Sequence, residues 1–168
     1  MEILQTRPEQ LKEVFRLYEA ATERQKQLYK VHWPVFEEAM VAREIAEGRQ
    51  WHVRGAGRMC CTWAIAFEDL QIWEESAQEA ALYLHRIATL PQKPKVSFVP
   101  LVIAWAKAFA QARALDFVRL DTIGHNQKLI AHYQACGFAF LGLRKLQNTQ
   151  GLPAHYQEED VSLFEIKL

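Results

Sequence analysis

The sequence has little of what several specialised classes of protein require. Its three cysteines are an odd number, and their spacing fits neither a disulfide framework nor a zinc site. Twenty basic residues balance twenty acidic ones, so no net charge attracts nucleic acid or an acidic membrane. No run reaches the roughly 18 apolar residues of a membrane span, and the N-terminus lacks a secretory pattern. We therefore expect a cytoplasmic protein that binds no nucleic acid, no membrane and no metal.

The residues that are present describe an ordinary globular protein. Half of the 168 residues are hydrophobic and 24% are charged, which predicts a single domain over residues 1–168. Strand and helix signals alternate, so we expect a mixed α/β sheet with helices on both faces. The predicted strands are 2–7, two in a hairpin around Gly55–Gly57, 81–90, 117–123, 138–146 and 161–168. The predicted helices are 9–24, 34–48, 98–114 and 126–136.

One loop lacks the residue type that its position favours. The connection "PQKPKVSFVP" (91–100) joins a strand to a helix, an arrangement that binds phosphates through free main-chain N–H groups, yet it has no glycine. A valine forced to a positive φ would cost about 1–2 kcal/mol, which weakens a site without abolishing it. The alternative is a solvated connection that binds nothing. The residues that still offer main-chain donors are Lys95, Val96, Ser97, Phe98 and Val99.

The segment that follows carries a more specific pattern. With "RLDT…N…LI…Y…CGF" (119–138), the chain over about 85–146 resembles the GNAT superfamily of acyl-CoA-dependent N-acyltransferases. The ending "LGLRKLQNTQGLPAHY…VSLFEI" resembles a bacterial subgroup of it, whereas the N-terminal third agrees only in element order. The family's loop, Arg/Gln-x-x-Gly-x-Gly/Ala, is replaced at all three specified positions, by Pro94, Ser97 and Val99.

The resemblance implies a fold and an activity. The fold would be a twisted, mostly antiparallel sheet of about six or seven strands. The activity would be direct transfer of an acetyl group from acetyl-CoA to a primary amine of a small molecule or peptide, in a ternary complex and without a metal. The loop at 95–99 would hold the diphosphate of coenzyme A. Two alternatives remain: a catalytically inactive CoA-binding sensor or interaction module, and a structural domain that has lost the ligand.

The resemblance also implies roles for single residues. Tyr133 would be the general acid, because a phenol with a pKa near 10 keeps its proton at neutral pH and can pass it to a leaving thiolate. Asn126 would bind the pantetheine arm or simply cap its helix. Main-chain groups of Ala88 and Thr89 would pair with pantetheine and polarise the thioester carbonyl.

The general base is less clear from the sequence. Tyr83 occupies the strand position where some family members have a glutamate. His85 lies two residues further, on the same face of the strand, and its ordinary pKa near 6.5 suits a base. A satisfied core histidine is the alternative, and a chain of ordered water could replace a side-chain base. Three other carboxylates are further candidates: Asp121, Glu68 and Glu165.

Two segments are expected to contact the acceptor. "YKVHWPVF" (29–36) supplies Tyr29, Trp33 and Phe36, unless these aromatics only fill the core. The long loop "GLPAHY" (151–156) supplies His155 and Tyr156, because loops of this length are often functional. The C-terminal strand either closes the sheet or pairs across a homodimer. The identity of the acceptor does not follow from the sequence.

Overall fold

The computed structural model describes residues 1–91 and 97–168. Within them, strands and helices follow the predicted order, with one short helix added before the fourth strand. The strands are β1 Glu2–Gln5, β2 Gln50–Gly55, β3 Arg58–Ala66, β4 Ala81–Thr89, β5 Phe117–Ile123, β6 Ala139–Arg144 and β7 Val161–Lys167. The α-helices are α1 Leu11–Leu28, α2 Glu38–Ala46, α3 Leu70–Trp73, α4 Val99–Gln111 and α5 Gln127–Ala135. Short 3₁₀ helices cover Pro8–Gln10, Glu74–Gln78 and Ala154–Gln157.

The strands form one sheet in the order β1-β2-β3-β4-β5-β7-β6. β4 and β5 pair in parallel, whereas β2 pairs with β1 and β3, and β7 with β5 and β6, in antiparallel fashion. The predicted mixed, mostly antiparallel sheet of six or seven strands is therefore confirmed. Across the described residues, no helix combines the length and the apolar character that crossing a membrane requires.

The chain divides into two compact units, and β4 contributes to both. The first contains Met1–Ile65 and His85–Phe98, and its core joins α1 and α2 to strand residues. The helix predicted over 9–24 is present as α1, and its buried residues Val14, Leu17 and Tyr18 lie on one face. The core residues of this unit are Val14, Leu17, Tyr18, Phe36, Val41, Ile45, Met59 and Ala88.

The predicted start of the second helix is wrong by four residues. Pro34 was expected to open it, but α2 begins at Glu38, after an extended Glu37 at its N-cap position. Phe36 lies in the extended segment and packs edge-on against Tyr18, with 5.3 Å between the ring centroids. Burial of this aromatic side chain against α1 takes precedence over the local helical pattern, as tertiary packing often does.

The second unit contains Ala66–Leu84 and Val99–Leu168. In it, β7 pairs with β5 on one side and with β6 on the other, so both of its edges are used within the chain. The C-terminal strand is therefore an interior strand, and β6 is the edge strand beside it. Gly137 follows α5 at a φ of +97°, the left-handed conformation that commonly ends a helix. The buried core of this unit is formed by Ile72, Trp73, Ala81, Tyr83, Val161 and Leu163.

Candidate active site

The loop before α4 is only partly within the described residues, and Lys95 and Val96 lie outside them. Ser97 is exposed, whereas the side chain of Phe98 is 98% buried, with a relative exposure of 2%. Val99 is the first residue of α4 and Pro100 the second, so the proline stands where the helix needs no donor. Because Val99 is helical, the cost of a positive φ that the sequence suggested for this valine does not arise at that position.

β4 contains an unusual backbone conformation at Arg86. Its φ is +50°, in the left-handed region that costs a non-glycine residue about 1–2 kcal/mol. The side chain is held firmly: Nη2 donates to both carboxylate oxygens of Glu44 at 2.5 Å, and Nε donates to the Tyr18 hydroxyl at 3.3 Å. The guanidinium also lies 5.4 Å from the centroid of the Phe36 ring. These contacts stabilise a strained strand, and strain of this kind is common at functional sites.

The sequence analysis did not identify this arrangement of Arg86, Glu44 and Tyr18. Burial raises the pKa of the Tyr18 phenol, although Arg86 opposes the rise. Burial alone would lower the pKa of Arg86, but Tyr18 and Glu44 raise it overall, so this guanidinium stays charged. One feature of the sequence indicates this pair: Glu44 is a carboxylate on the face of α2 that Val41 and Ile45 bury. A charge on an apolar helix face requires a partner.

The predicted thioester-binding end of β4 lies in the first unit. Ala88 is almost completely buried and packs in the core of this unit, while Thr89 is half-buried. The main-chain role that the resemblance implies for these two residues stays a prediction.

The predicted acceptor aromatics differ in their surroundings. Tyr29 is 42% exposed just after α1, Trp33 is half-buried, and Phe36 is buried. The Trp33 and Phe36 rings are 5.7 Å apart, and the Trp33 main-chain N–H donates to Gln25 at 2.8 Å. A cavity of about 120 Å³ adjoins them and includes Phe36 but neither Tyr29 nor Trp33. Its lining residues are Phe15, Tyr18, Glu19, Thr22, Glu23, Lys26, Pro34, Val35 and Phe36.

Tyr133 lies on α5 in the second unit and is 9% exposed. Its ring contacts those of Phe164 and Phe138, with centroid distances of 5.1 Å and 5.9 Å. Phe164 is opposite Leu120 in the β5–β7 register, and opposite residues project from the same face of a sheet. Tyr133 therefore packs against the face of the sheet that carries Leu120 and Phe164.

Asn126 is the N-cap residue of α5. Its side-chain oxygen accepts hydrogen bonds from the main-chain N–H groups of Lys128 and Leu129, at 3.1 Å and 3.2 Å. The capping role that the sequence allowed is therefore present. The side-chain carbonyl is used by the helix, and the contact of Asn126 with pantetheine stays a prediction.

His85 is in a poor electrostatic position for a base. Burial, together with the charges of Arg86 and Arg49, lowers the pKa of His85 to about 3. The imidazole is neutral at pH 7, but its low basicity gives it little tendency to take up a proton. Tyr83, which stands where the family has a glutamate, is completely buried, and its hydroxyl accepts a hydrogen bond from Arg119 at 3.2 Å.

Among the three other carboxylates that are candidate bases, Asp121 has different surroundings from Glu165 and Glu68. Glu165 is paired with Arg119, with 2.7 Å between Oε2 and Nη2, and Glu68 is exposed. Asp121 is half-buried on β5, and burial raises its pKa to about 6 although a hydrogen bond from Tyr156 lowers it. Tyr156 comes from the long loop that the sequence singled out. That loop therefore contributes a side chain to β5, next to buried His155.

A carboxylate that the sequence analysis missed lies beside Asp121. Asp69 precedes α3, and one of its oxygens and one of Asp121 lie within 4.8 Å of each other. Burial and the charge of Asp121 raise the pKa of Asp69 to about 8. Nothing in the sequence singled out Asp69, because an aspartate before a short helix usually serves as its N-cap. Here its side chain makes no capping hydrogen bond.

Comparisons with known proteins give relatives by structure only. No protein-family model and no curated protein sequence matches the chain. A GNAT-family acetyltransferase from Listeria monocytogenes is similar with a TM-score of 0.78 and 22% identity, over 99% of this chain and 94% of that one. The Drosophila melanogaster polyamine N-acetyltransferase, which forms N-acetylagmatine, has a TM-score of 0.71 and 10% identity, over 99% of both chains.

A third similar structure contains the cosubstrate. It is a putative acetyltransferase from Salmonella typhimurium, solved with its cofactor acetyl-CoA, with a TM-score of 0.68 and 8% identity, over 100% of this chain and 94% of that one. At these identities the likeness concerns the fold. The order of strands and helices and these whole-length superpositions together establish that the chain has the GNAT acetyltransferase fold.

Proposed function

We propose that this protein is an N-acetyltransferase that moves an acetyl group from acetyl-CoA to a primary amine in a ternary complex. The observation that carries the proposal is Tyr133, which lies on α5 and packs on Phe164 of the sheet, because the resemblance implies that this tyrosine is the general acid. The similarity over the whole chain to acetyltransferases, one of them with acetyl-CoA, supports it.

The described residues fit the chemistry of coenzyme A. Ser97 is exposed two residues before α4, a helix of 13 residues whose first turn has N–H groups without intrahelical partners that could bind a diphosphate. The main chain supplies these donors, so the missing glycines remove none of them, and Lys95 and Val96 are proposed as further donors. Asn126 would donate through its amide to pantetheine, and the main chain of Ala88 and Thr89 would pair with the arm.

The reaction requires two proton transfers. The amine nitrogen forms a bond to the thioester carbonyl carbon, and the bond from that carbon to sulfur breaks. Tyr133 gives its phenolic proton to the departing thiolate and recovers one from solvent. The proton that the amine loses must go to a base. His85 is proposed for this role, although its pKa of about 3 makes it a weak base, and the alternatives are Asp121, Glu68, Glu165 or a chain of ordered water.

The acceptor would be a small amine or the amine of a peptide. Phe36 is the predicted aromatic that lines the cavity beside α1, together with Glu19, Glu23 and Lys26. Lys26 is paired with Glu23 at 2.7 Å, so the attraction for a cationic amine would come from Glu19 and from the aromatic ring of Phe36. Trp33 and Tyr29, and independently His155 and Tyr156 of the long loop, are proposed as further acceptor contacts.

The test is release of free coenzyme A from acetyl-CoA in the presence of an amine panel. The panel contains agmatine, spermidine, a peptide with a free N-terminal alanine and a lysine peptide. We expect amine-dependent thiol release with at least one acceptor, and mass spectrometry should find the acetylated amine. Binding of CoA without turnover of any acceptor would favour the sensor instead. The absence of both binding and turnover would favour the structural domain.

A further inference from the structure

A second cavity of the first unit lies beside β1 and β2, at the edge of the sheet. Its volume is about 620 Å³, within the range of about 300–1,000 Å³ that small-molecule sites occupy. It is lined by the end of β1, by the segment that leads into α1 and by two residues of β2. None of the lining residues is among the cofactor, acid, base or acceptor residues named above, so the proposed acetyl transfer does not account for this cavity.

One wall of this cavity contains a buried ring nitrogen, that of His52, which lies on β2 opposite Leu4 of β1. Its Nδ1 is 3.0 Å from Oγ1 of Thr6, whereas Nε2 has no hydrogen-bond partner among the described residues. The Thr6 hydroxyl is also buried and has Nδ1 as its acceptor, so we assign the hydroxyl proton to this bond. Nδ1 then accepts, and Nε2 carries the N–H, a buried donor that lacks an acceptor.

The other polar side chains of the cavity also offer mainly donors. Arg7 and Glu9 are exposed, and neither forms an ion pair with a described residue. Gln10 accepts the main-chain N–H of Arg7 through Oε1 at 2.8 Å, which leaves its amide nitrogen as a donor. Arg54 is half-buried and paired with Glu13 at 3.1 Å. The cavity therefore presents several unused donors and one unpaired carboxylate, which favours an anionic ligand over a cationic one.

We propose that this cavity binds a small molecule through an anionic oxygen group, a carboxylate or a phosphate. The group would accept the Nε2–H of His52 and pair with the guanidinium of Arg7, whose N–H donors match two oxygens at once. Nε2 is closed to solvent, so a ligand gains this contact by displacing an exposed side chain of the cavity. Arg7 and Glu9 have no ion pair to a described residue that opposes such a displacement.

The charges around His52 make its protonation respond to a bound anion. Burial and the charge of Arg54 lower the pKa of His52, and Glu13 opposes this fall. The other charged residues that line the cavity are Arg7 and Glu9, while the strand partners of His52 on β1 and β3 are uncharged. An anion at Nε2 favours the imidazolium, so it raises the pKa of His52, and the anion binds more tightly as the pH falls.

The test is a titration of the protein with sodium acetate, and separately with inorganic phosphate, at constant ionic strength kept with sodium chloride. Histidine-selective NMR follows the ring signals of His52. We expect saturable shifts with a Kd on the order of 1–10 mM for at least one of the two anions. The anion that binds more tightly shows whether the site prefers a carboxylate or a phosphate. The pKa of His52 should be higher in acetate than in chloride alone.

Three variants probe the charge of the site. Arg7→Gln removes the proposed cationic partner and should weaken binding by about tenfold. Glu9→Gln removes a like charge and should tighten binding by roughly two- to fivefold. Arg43→Gln is the matched control, because Arg43 is an exposed arginine of α2 that does not line the cavity, and it should leave the Kd unchanged.

Several results would overturn the site. If neither anion shifts His52 saturably, the unpartnered nitrogen and its cavity take no anion. If Arg7→Gln weakens binding no more than Arg43→Gln does, the attraction belongs to the general charge of the surface. The titration is repeated with saturating CoA, and we expect the same shifts of His52. Loss of these shifts would mean that the cavity belongs to the cofactor, so no separate site would remain.

Discussion

At the scale of single residues, the environment of a side chain decides its chemistry more than its type does. His85 has the residue type of a base, but burial and two neighbouring arginines lower its pKa to about 3. Asp121 has the type of a group that is ionised at pH 7, yet burial raises its pKa to about 6. The sequence names both residues. Which of the two is the stronger base depends on the burial and on the charges that the fold brings close to each of them.

The first prediction concerns Tyr133. Replacing it by phenylalanine removes the proton for the leaving thiolate and keeps the ring that packs on Phe164. We expect kcat to fall by about 10²–10⁴-fold while the Kd for CoA changes little. Steady-state kinetics and calorimetric titration measure the two quantities. An unchanged kcat would remove Tyr133 from the mechanism, and a matching loss of CoA affinity would indicate a binding role.

At the scale of secondary structure elements, β4 is the element that depends most on its neighbours. Its left-handed residue Arg86 is held by Glu44 from α2 and by Tyr18 from α1. An isolated strand would not keep this conformation, so its stability comes from the two helices that pack in the same unit. We expect the Glu44–Arg86 pair to be among the most important polar contacts of the first unit.

The second prediction tests this contact. Glu44→Ala leaves a buried guanidinium without its carboxylate, and breaking a buried pair typically costs about 3–5 kcal/mol. Glu47→Ala, which removes a carboxylate that is 47% exposed and paired with Arg49, should cost less than about 1 kcal/mol. Urea unfolding of both variants measures the difference. Equal free energies of unfolding would mean that Arg86 needs no partner.

The third prediction concerns the loop that lacks glycine. Because Val99 is already helical, Val99→Gly relieves no strain and adds a poor helix former to α4. We expect the variant to lose up to about 1 kcal/mol of stability and to bind CoA no more tightly than the wild type. Thermal unfolding and titration with CoA check the two statements. Tighter binding would show that the valine obstructs the diphosphate.

The elements also show which parts of the fold were predictable. β4, β5 and α5 were placed within one residue because apolar runs, an N-cap asparagine and Gly137 mark them locally. The start of α2 was misplaced because the burial of Phe36 against Tyr18 is a tertiary contact. Asp69 and the Arg86–Glu44 pair were missed for the same reason, since each joins residues more than 40 positions apart in the chain.

At the scale of the whole molecule, the fold is conserved where the sequence is not. The chain superimposes on acetyltransferases over 99–100% of its length at 8–22% identity. The proposed cofactor contacts are mainly main-chain groups, which many side chains permit, so they are compatible with such low identity. The acceptor contacts depend on side chains, so acceptor preference belongs to individual chains and requires direct measurement.

The most direct test of the central claim is a crystal structure of the protein with bound acetyl-CoA. We predict that the diphosphate accepts hydrogen bonds from the main-chain N–H groups of the loop that ends at Val99. The thioester sulfur should lie within hydrogen-bonding distance of the Tyr133 hydroxyl. A diphosphate bound elsewhere, or a loop closed by the side chain of Phe98 or Val99 with no cofactor beside Tyr133, would contradict the account.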